Sequence, residues 1–453
     1  MDTQRRVSKV FVRLFRKSIT LKPARHNCAT ARKLKLTRIN WPRNMQKVET
    51  TRSLWRNPDF TLLWCGQLVS QFGSRISTLA LPLLVLALTN SPAQTGFIAA
   101  VEALPYLLLS LPGGALIDQL NRKAIMIWCD IARIIAFGSI PVVFVFGKLD
   151  LPQLYMVALV AGITKVLFDI TVLAALPNVV GAAQFSKAAS LTFVGEQLAK
   201  LGGPTLGGIL IGFGKTTVAG TVLAYLVDTI TYLFSVVSLM FIKVPFQTQQ
   251  QAQKLNSLWS NILEGLRFVW SQKHLRWMAI LITCSNFLLS SLLITIVVLC
   301  QTRLGADTWL VGLTLSSAGL GGLIGAVATP PVLARFKPME VFFGTLAAWT
   351  VTVVIIAQAS TIWWVMAGFL LWGLVDMVFS INVITYRARL TPDHLQGRVI
   401  SSFRVMTYGI EPLGLAVGGT LLGIIGANEL LWLMAGGLVL CSIASGFLIK
   451  SPN

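Results

Sequence analysis

Charge is scarce in this sequence: Asp, Glu, Lys and Arg supply only 12% of its 453 residues, where a soluble domain carries about a quarter. With 55% of the residues apolar, the chain falls outside the ordinary soluble class and reads as an integral membrane protein. Paired cysteines are lacking too. Cys28, Cys65, Cys129, Cys284, Cys300 and Cys441 are scattered with no C-x-x-C, which supports neither a disulfide framework nor a zinc site. The histidines are few and far apart: His26 in the N-terminal tail, His274 in the central connection and His394 in a loop. No catalytic triad, metal centre or cofactor is expected, and the chain does not read as an enzyme. Gly214-Lys215-Thr216 has the end of a phosphate-binding loop, but G-x-x-x-x-G-K-[ST] requires glycine where Ile209 stands, which excludes ATP binding there.

Positive charge is in excess, at +21, but it is localised. Residues 1–56 hold 16 Lys and Arg against Asp2 and Glu49, leaving 22 cations and 15 acids over the other 397 residues. The body therefore lacks the basic face of a nucleic-acid binder, and no nucleic-acid partner is expected.

What the chain has is long apolar runs. A bilayer core of about 30 Å needs roughly 20 apolar residues per helix, and lipid-facing backbone must be helical. Twelve spans are predicted, at 60–88, 96–117, 124–146, 154–180, 189–213, 218–242, 277–304, 309–333, 339–357, 362–386, 400–425 and 430–449. Of the 22 body cations, 15 lie in loops on the side of the tail and only Lys148, Lys215 and Arg303 on the other. By the positive-inside rule both termini are cytoplasmic, in a plasma or inner membrane. The expected organisation is a basic tail (1–56), either disordered or an extension foreign to the native chain, then a six-helix bundle (57–242). A connection (243–276), a second six-helix bundle (277–449) and a short cytoplasmic end (450–453) follow. In the connection, Leu258, Ile262, Leu266 and Val269 recur at helical spacing beside Trp259 and Trp270. This is an amphipathic helix along the inner surface, read either as a coupling element or as a passive linker.

An offset of 211 residues lays the second half on the first. It matches Gly162 with Gly373, Phe168 with Phe379, Gly203 with Gly414, Gly207 with Gly418 and Gly208 with Gly419. Gly203, Pro204, Gly207, Gly208, Gly414, Gly418 and Gly419 are accordingly read as close-packing positions between helices. A six-plus-six parallel repeat is an architecture of secondary transporters, with the substrate path between the halves.

After the second span the sequence reads Gly113-Gly114-Ala-Leu-Ile-Asp118-Gln-Leu-Asn121-Arg122-Lys123. This resembles the G-x-x-x-D-x-x-x-R-[RK] signature of the major facilitator superfamily, with Asn121, which tolerates a left-handed turn, where that family usually has glycine. Trp55-Arg-Asn-Pro-Asp-Phe, Ala80-Leu-Pro, Phe168-Asp169, Thr391-Pro-Asp-His-Leu-Gln-Gly-Arg398 and Glu411-Pro-Leu-Gly are similar to the branch of macrolide-efflux and siderophore (enterobactin) exporters. The resemblance implies an all-α membrane fold of two pseudo-symmetric six-helix bundles. It implies a cytoplasmic gate latch formed by Gly114, Asp118, Arg122 and Lys123, with Asp130 and Arg133 at i, i+3 beside it. Charges that only obey the positive-inside rule are the plainer reading of the same residues.

Ionisable side chains at membrane depth cost roughly 2.5–3.5 kcal/mol on insertion scales, and by default face a water-filled path or a partner. They are Arg75, Glu102, Lys165, Asp169, Glu196, Lys200, Asp228, Asp376 and Glu411. Lys165 with Asp169, and Glu196 with Lys200, stand at i, i+4 and form either self-neutralising pairs or parts of the path. The resemblance implies that the first, fourth, seventh and tenth helices line the cavity, bringing Arg75, Lys165, Asp169 and Asp376 to it. Arg75 and Asp376 depart from the family's pattern. The offset lays Lys165 on Asp376, so a pair across the cavity that forms in one state and breaks in another would be a switch. Glu102, Asp169, Asp376 and Glu411 are the candidates for proton coupling.

The expected function is a secondary, proton-coupled exporter of small amphipathic molecules, acting as a monomer by alternating access. The alternative is a non-transporting lipid-handling or scaffold protein on the same fold. The tail has three readings: a basic amphipathic helix on anionic lipid, a transit peptide, or an extension absent from a native chain that begins at Met45.

Overall fold

The structure, a computed structural model, describes residues 54–110, 112–113, 117, 120–147, 149–247 and 256–450, the side chains of 182, 256–262, 394 and 447–450 excepted. Residues 1–53 of the tail, and Gly114 and Asp118 of the expected latch, lie outside the described residues. Every regular element described is helical. In chain order they are α1 (Pro58–Thr89), α2 (Pro92–Leu109), α3 (Arg122–Val145), α4 (Leu151–Val180), α5 (Phe185–Gly212) and α6 (Thr217–Phe241). Then come α7 (Asn256–Ser271), α8 (Lys273–Leu289), α9 (Leu292–Val298), α10 (Thr308–Arg335) and α11 (Pro338–Ala357). The chain ends with α12 (Ile362–Leu390), α13 (Gln396–Tyr408), α14 (Glu411–Ile425) and α15 (Ala427–Lys450).

Helix starts follow from capping chemistry. Asn57 accepts from the amides of Asp59 and Phe60, with Pro58 in the first turn, a position where its missing N–H costs nothing. Ser91 followed by Pro92 starts α2 four residues before the predicted 96, and α5 likewise starts at Phe185 rather than 189. Asn121 is not left-handed: at φ −68° it is extended, and its side chain accepts from Ala124 N to cap α3.

Ten helical segments among those described are long and apolar enough to cross a membrane. α2 and α5 complete the twelve expected, α2 packing on α4 and α14, and α5 on α1 and α10. α5 is the polar one, carrying Lys187, Glu196 and Lys200.

Two predicted spans prove to be interrupted helices. The seventh divides into α8 and α9 at Ser290–Ser291 and ends in a π-helical turn, Leu299–Arg303. The eleventh divides into α13 and α14 at Gly409–Ile410, just before Pro412, whose nitrogen cannot bond back to the preceding turn. Backbone groups at such breaks must be satisfied by neighbours. Thr283 Oγ1 donates to Met406 O at 2.8 Å and Asn286 Nδ2 to Thr407 O at 2.7 Å. One interrupted helix therefore satisfies the other.

In the first half α1 packs on α5 and α6, and α3 on α4 and α6; in the second, α12 packs on α10 and α11, and α15 on α8 and α11. The halves meet chiefly through α2 with α14 and α5 with α10, two interfaces that the 211-residue offset interchanges. The glycines explain how. A Cβ on Gly208 would lie 2.5 Å from Thr308 O, and one on its repeat image Gly419 would lie 2.6 Å from Gly96 Cα, so both sit at the contact between halves. Gly203 and Gly207 instead abut Arg75 and Ile76 of α1, and their images Gly414 and Gly418 abut Ser290 and Ser291 of the α8–α9 break. Pro204 completes the set, its carbonyl backing on Gly312 of α10. Each position and its image does the same packing task in its own half. The contacts of Gly96, Gly208 and Gly419 lie at the end of the bundle opposite the start of α1, and Thr205 Oγ1 bonds Ser316 Oγ there at 2.7 Å.

Candidate transport pathway

Between the halves lies a cavity of about 420 Å³, within the ~300–1,000 Å³ typical of sites for small organic ligands. α1 supplies Arg75 and Thr78, α5 supplies Gln197 and Lys200, and the α8–α9 break supplies Asn286, Leu289 and Ser290. From the second half come Trp349 of α11, Phe369, Trp372 and Asp376 of α12, and Tyr408 and Glu411, which flank the α13–α14 break. Both interrupted helices thus line the cavity, as discontinuous helices do at the substrate sites of many transporters.

Of the sequence candidates, Arg75, Asp376 and Glu411 line this cavity, while Glu102, Lys165 and Asp169 do not. Lys165 and Asp169 are exposed on α4 and Glu102 is half-buried on α2. Lys165 makes no ion pair within 4.0 Å with either Asp169 or Asp376 in this state. Glu196 and Lys200 do pair, at 3.1 Å, and Glu196 also holds Arg75 at 3.6 Å. The cation facing Asp376 from the first half is Lys200.

The described bonds of the latch candidates Arg122 and Lys123 lie within the first half. Arg122 Nη1 donates to Ala174 O at 2.8 Å and to Phe246 O at 3.4 Å. Lys123 Nζ donates to Ile242 O at 2.8 Å and to Met240 O at 3.1 Å. These bonds tie the start of α3 to the ends of α4 and α6. Asp130 and Arg133 are buried and 3.3 Å apart. Ser235 Oγ donates to Asp130 at 2.7 Å, and Arg133 Nε donates to Thr164 Oγ1 at 3.0 Å. The guanidinium also lies over Phe168 and Tyr232, at 5.0 and 5.2 Å from the ring centroids. These partners come from α4 and α6, so the pair pins three helices of one bundle.

Sequence reasoning gave no role to two features: Asp228, which it had only placed at membrane depth, and an aromatic wall. Asp228 is fully buried between α1 and α6, accepting from Ser77 Oγ and from Thr231 Oγ1, with no cation within 4.0 Å among the described residues. In the aromatic wall, Trp372 stacks on Phe369 at 5.2 Å and 6°, and Trp349 lies 4.5 Å from Phe379. Aromatic residues are common in membrane helices, and only the pairing of α11 with α12 turns these towards one space.

Three comparisons bear on the arrangement. A family described as transmembrane secretion effector, within the major facilitator group, matches residues 50–452. The multidrug efflux pump Tap of Mycolicibacterium fortuitum is 24% identical over 411 residues, covering 87% of this chain and 96% of that pump. The enterobactin exporter EntS of Shigella dysenteriae is 22% identical over 410 residues, covering 86% of this chain and 89% of the exporter. Among solved structures, an inward-facing bacterial homologue of the iron transporter ferroportin is similar at TM-score 0.70 and 20% identity, covering 88% of this chain and 100% of its own. These matches are to transporters rather than enzymes, and they favour transport over a scaffold or lipid-handling role.

Proposed function

Because the chain belongs to the transmembrane secretion effector family of major facilitator transporters, we propose that it is a proton-coupled exporter of small amphipathic molecules, working as a monomer by alternating access, with no nucleic-acid partner. The observation that carries this reading is the cavity itself: about 420 Å³, lined by both halves and by both interrupted helices, with ionisable groups on two walls. Efflux as the direction is taken from the relatives named a multidrug pump and an enterobactin exporter.

The side on which α1 starts is the cytoplasmic side in this reading, since 15 body cations lie in its loops against three opposite. Both termini then face the cytoplasm, and the protein sits in the plasma or inner membrane. With the halves in contact at the outer end, through Gly96 with Gly419 and Gly208 with Thr308, the cavity takes its load from within. Rocking that opens the outer contact would close the inner end, where Asp118, Arg122 and Lys123 form the latch. Lys165 and Asp376, unpaired with each other here, pair across the path in that second state. Proton coupling falls to Glu102, Asp169, Asp376 and Glu411.

The test uses inverted membrane vesicles containing the protein. On acidification of the lumen they should accumulate a fluorescent amphipath and release it when a protonophore is added. Uptake equal to that of vesicles without the protein would overturn the reading.

A further inference from the structure

The cavity walls differ in how their charges are satisfied. On the first-half wall both cations are engaged by one acid, Glu196, at 3.6 Å from Arg75 and 3.1 Å from Lys200. On the second-half wall Asp376 and Glu411 have no hydrogen bond and no ion pair within 4.0 Å among the described residues. Lys200 faces Asp376 and Lys165 faces Glu411, both from beyond ion-pair distance. Of the charges that line the cavity or pair with its lining, Glu196, Asp376 and Glu411 outnumber Arg75 and Lys200 by three to two. The unmet demand in the cavity is for positive charge.

The same wall is aromatic. Trp372, stacked on Phe369, and Trp349 and Tyr408 border the space beside the two acids. Such rings attract cations through their faces. Donors are unmet as well: Nε1 of Trp349, Nε1 of Trp372 and Nε2 of Gln197 are buried with no acceptor among the described residues. A buried donor left unsatisfied costs free energy, and a bound acceptor would recover it.

We propose that the cavity selects monocationic amphipathic molecules: an amine, quaternary nitrogen or phosphonium held by Asp376 with Glu411, and an apolar body against Trp372 and Phe369. A carbonyl, ether or hydroxyl oxygen on the ligand is read by Trp349, Trp372 or Gln197. Anions of the same size are disfavoured, because they would meet two uncompensated carboxylates while the wall's cations are already held by Glu196. This inference rests on the transport reading above and names its substrate class.

The test is equilibrium dialysis of the purified full-length protein in detergent, with protein-free micelles as the blank. The probes are tetraphenylphosphonium and tetraphenylborate, alike in shape and opposite in charge. Tetraphenylphosphonium should bind saturably and tetraphenylborate should not. Asp376→Asn should weaken the cation by at least about tenfold, as loss of one member of a close charge pair does, with thermal unfolding near wild type. Where that variant does not fold, Glu411→Gln and the wild-type comparison decide. The proposal is overturned if the anion binds as tightly as the cation, if neither binds, or if both substitutions leave cation affinity unchanged. Dialysis reads selection without reference to direction or driving force. Cation binding without vesicle uptake would therefore sink only the exporter reading, and vesicle export with anion selection only the charge class.

Discussion

Asn286 donates its side-chain amide to the carbonyl of Thr407 at 2.7 Å, and that bond joins the two interrupted helices of the second half beside the cavity. Asn286→Leu keeps the volume and removes the donor. The stranded carbonyl should cost about 1–3 kcal/mol, seen as a lower unfolding temperature in detergent together with weaker ligand binding. Unfolding at the wild-type temperature would mean that Thr407 finds another donor.

Gly208 and Gly419 should be interchangeable in effect, since they are repeat images and a Cβ on either would press on the backbone of the other half, at 2.5 and 2.6 Å. Leucine at either position wedges the contact between halves and should favour the state open at that end. Labelling of a cysteine placed at Leu293, a cavity residue, by an impermeant maleimide from the face opposite α1's start should rise in both variants. A rise in one alone would break the equivalence.

The buried pair Asp130–Arg133 should behave as a structural pin. Removing one partner leaves an uncompensated charge among α3, α4 and α6, at a cost of about 3–5 kcal/mol. Asp130→Leu with Arg133→Met should therefore be less damaging than the two single losses combined, read as unfolding free energy. Lost transport with unaltered stability in Asp130→Asn would instead return the residue to the gate.

Glu196→Gln releases Arg75 and Lys200 from their shared acid. Tetraphenylphosphonium affinity should fall several-fold, because the released cations repel it, and tetraphenylborate should begin to bind. A variant that still rejects the anion would show that Glu196 does not occupy those cations.

The spans were legible because each is a long apolar run, and the repeat because glycines at 203, 207 and 208 return at 414, 418 and 419. Hydropathy discarded the first turns of α2 and α5, whose polar residues Gln94 and Lys187 belong to the helices; the Ser91-Pro92 start signal was the better guide for α2. The break at Gly409–Ile410 had a marker in Pro412 that the single span at 400–425 ignored, whereas that at Ser290–Ser291 had none, since serine in an apolar run also sits quietly in a helix. Glu196 and Lys200 were found as a pair because they are local on one helix. Arg75 joins them only through the packing of α1 on α5, at Gly203, a contact that no spacing along the chain contains. Lys165 and Asp376 show the converse: related by the repeat, they are not brought together in this state.

The helix α7 alters what the connection between the halves can do. Glu264 pairs with Arg398, Gly265 abuts the backbone of α13 at Arg398, and Val269 is buried, so α7 rides with the second half. The chain leaving α6 is fastened to the first half, with Phe246 O accepting from Asn178 Nδ2 at 2.9 Å and Gln247 Oε1 from Arg122 N at 3.3 Å. Mechanically, then, the tether is the eight residues 248–255 rather than the whole of 243–276. The nine backbone steps from Gln247 to Asn256 reach at most about 32 Å when fully drawn out, which makes the connection a stop on how far Gln247 and the start of α7 can separate. Lengthening it would loosen that stop without touching a single residue of the cavity.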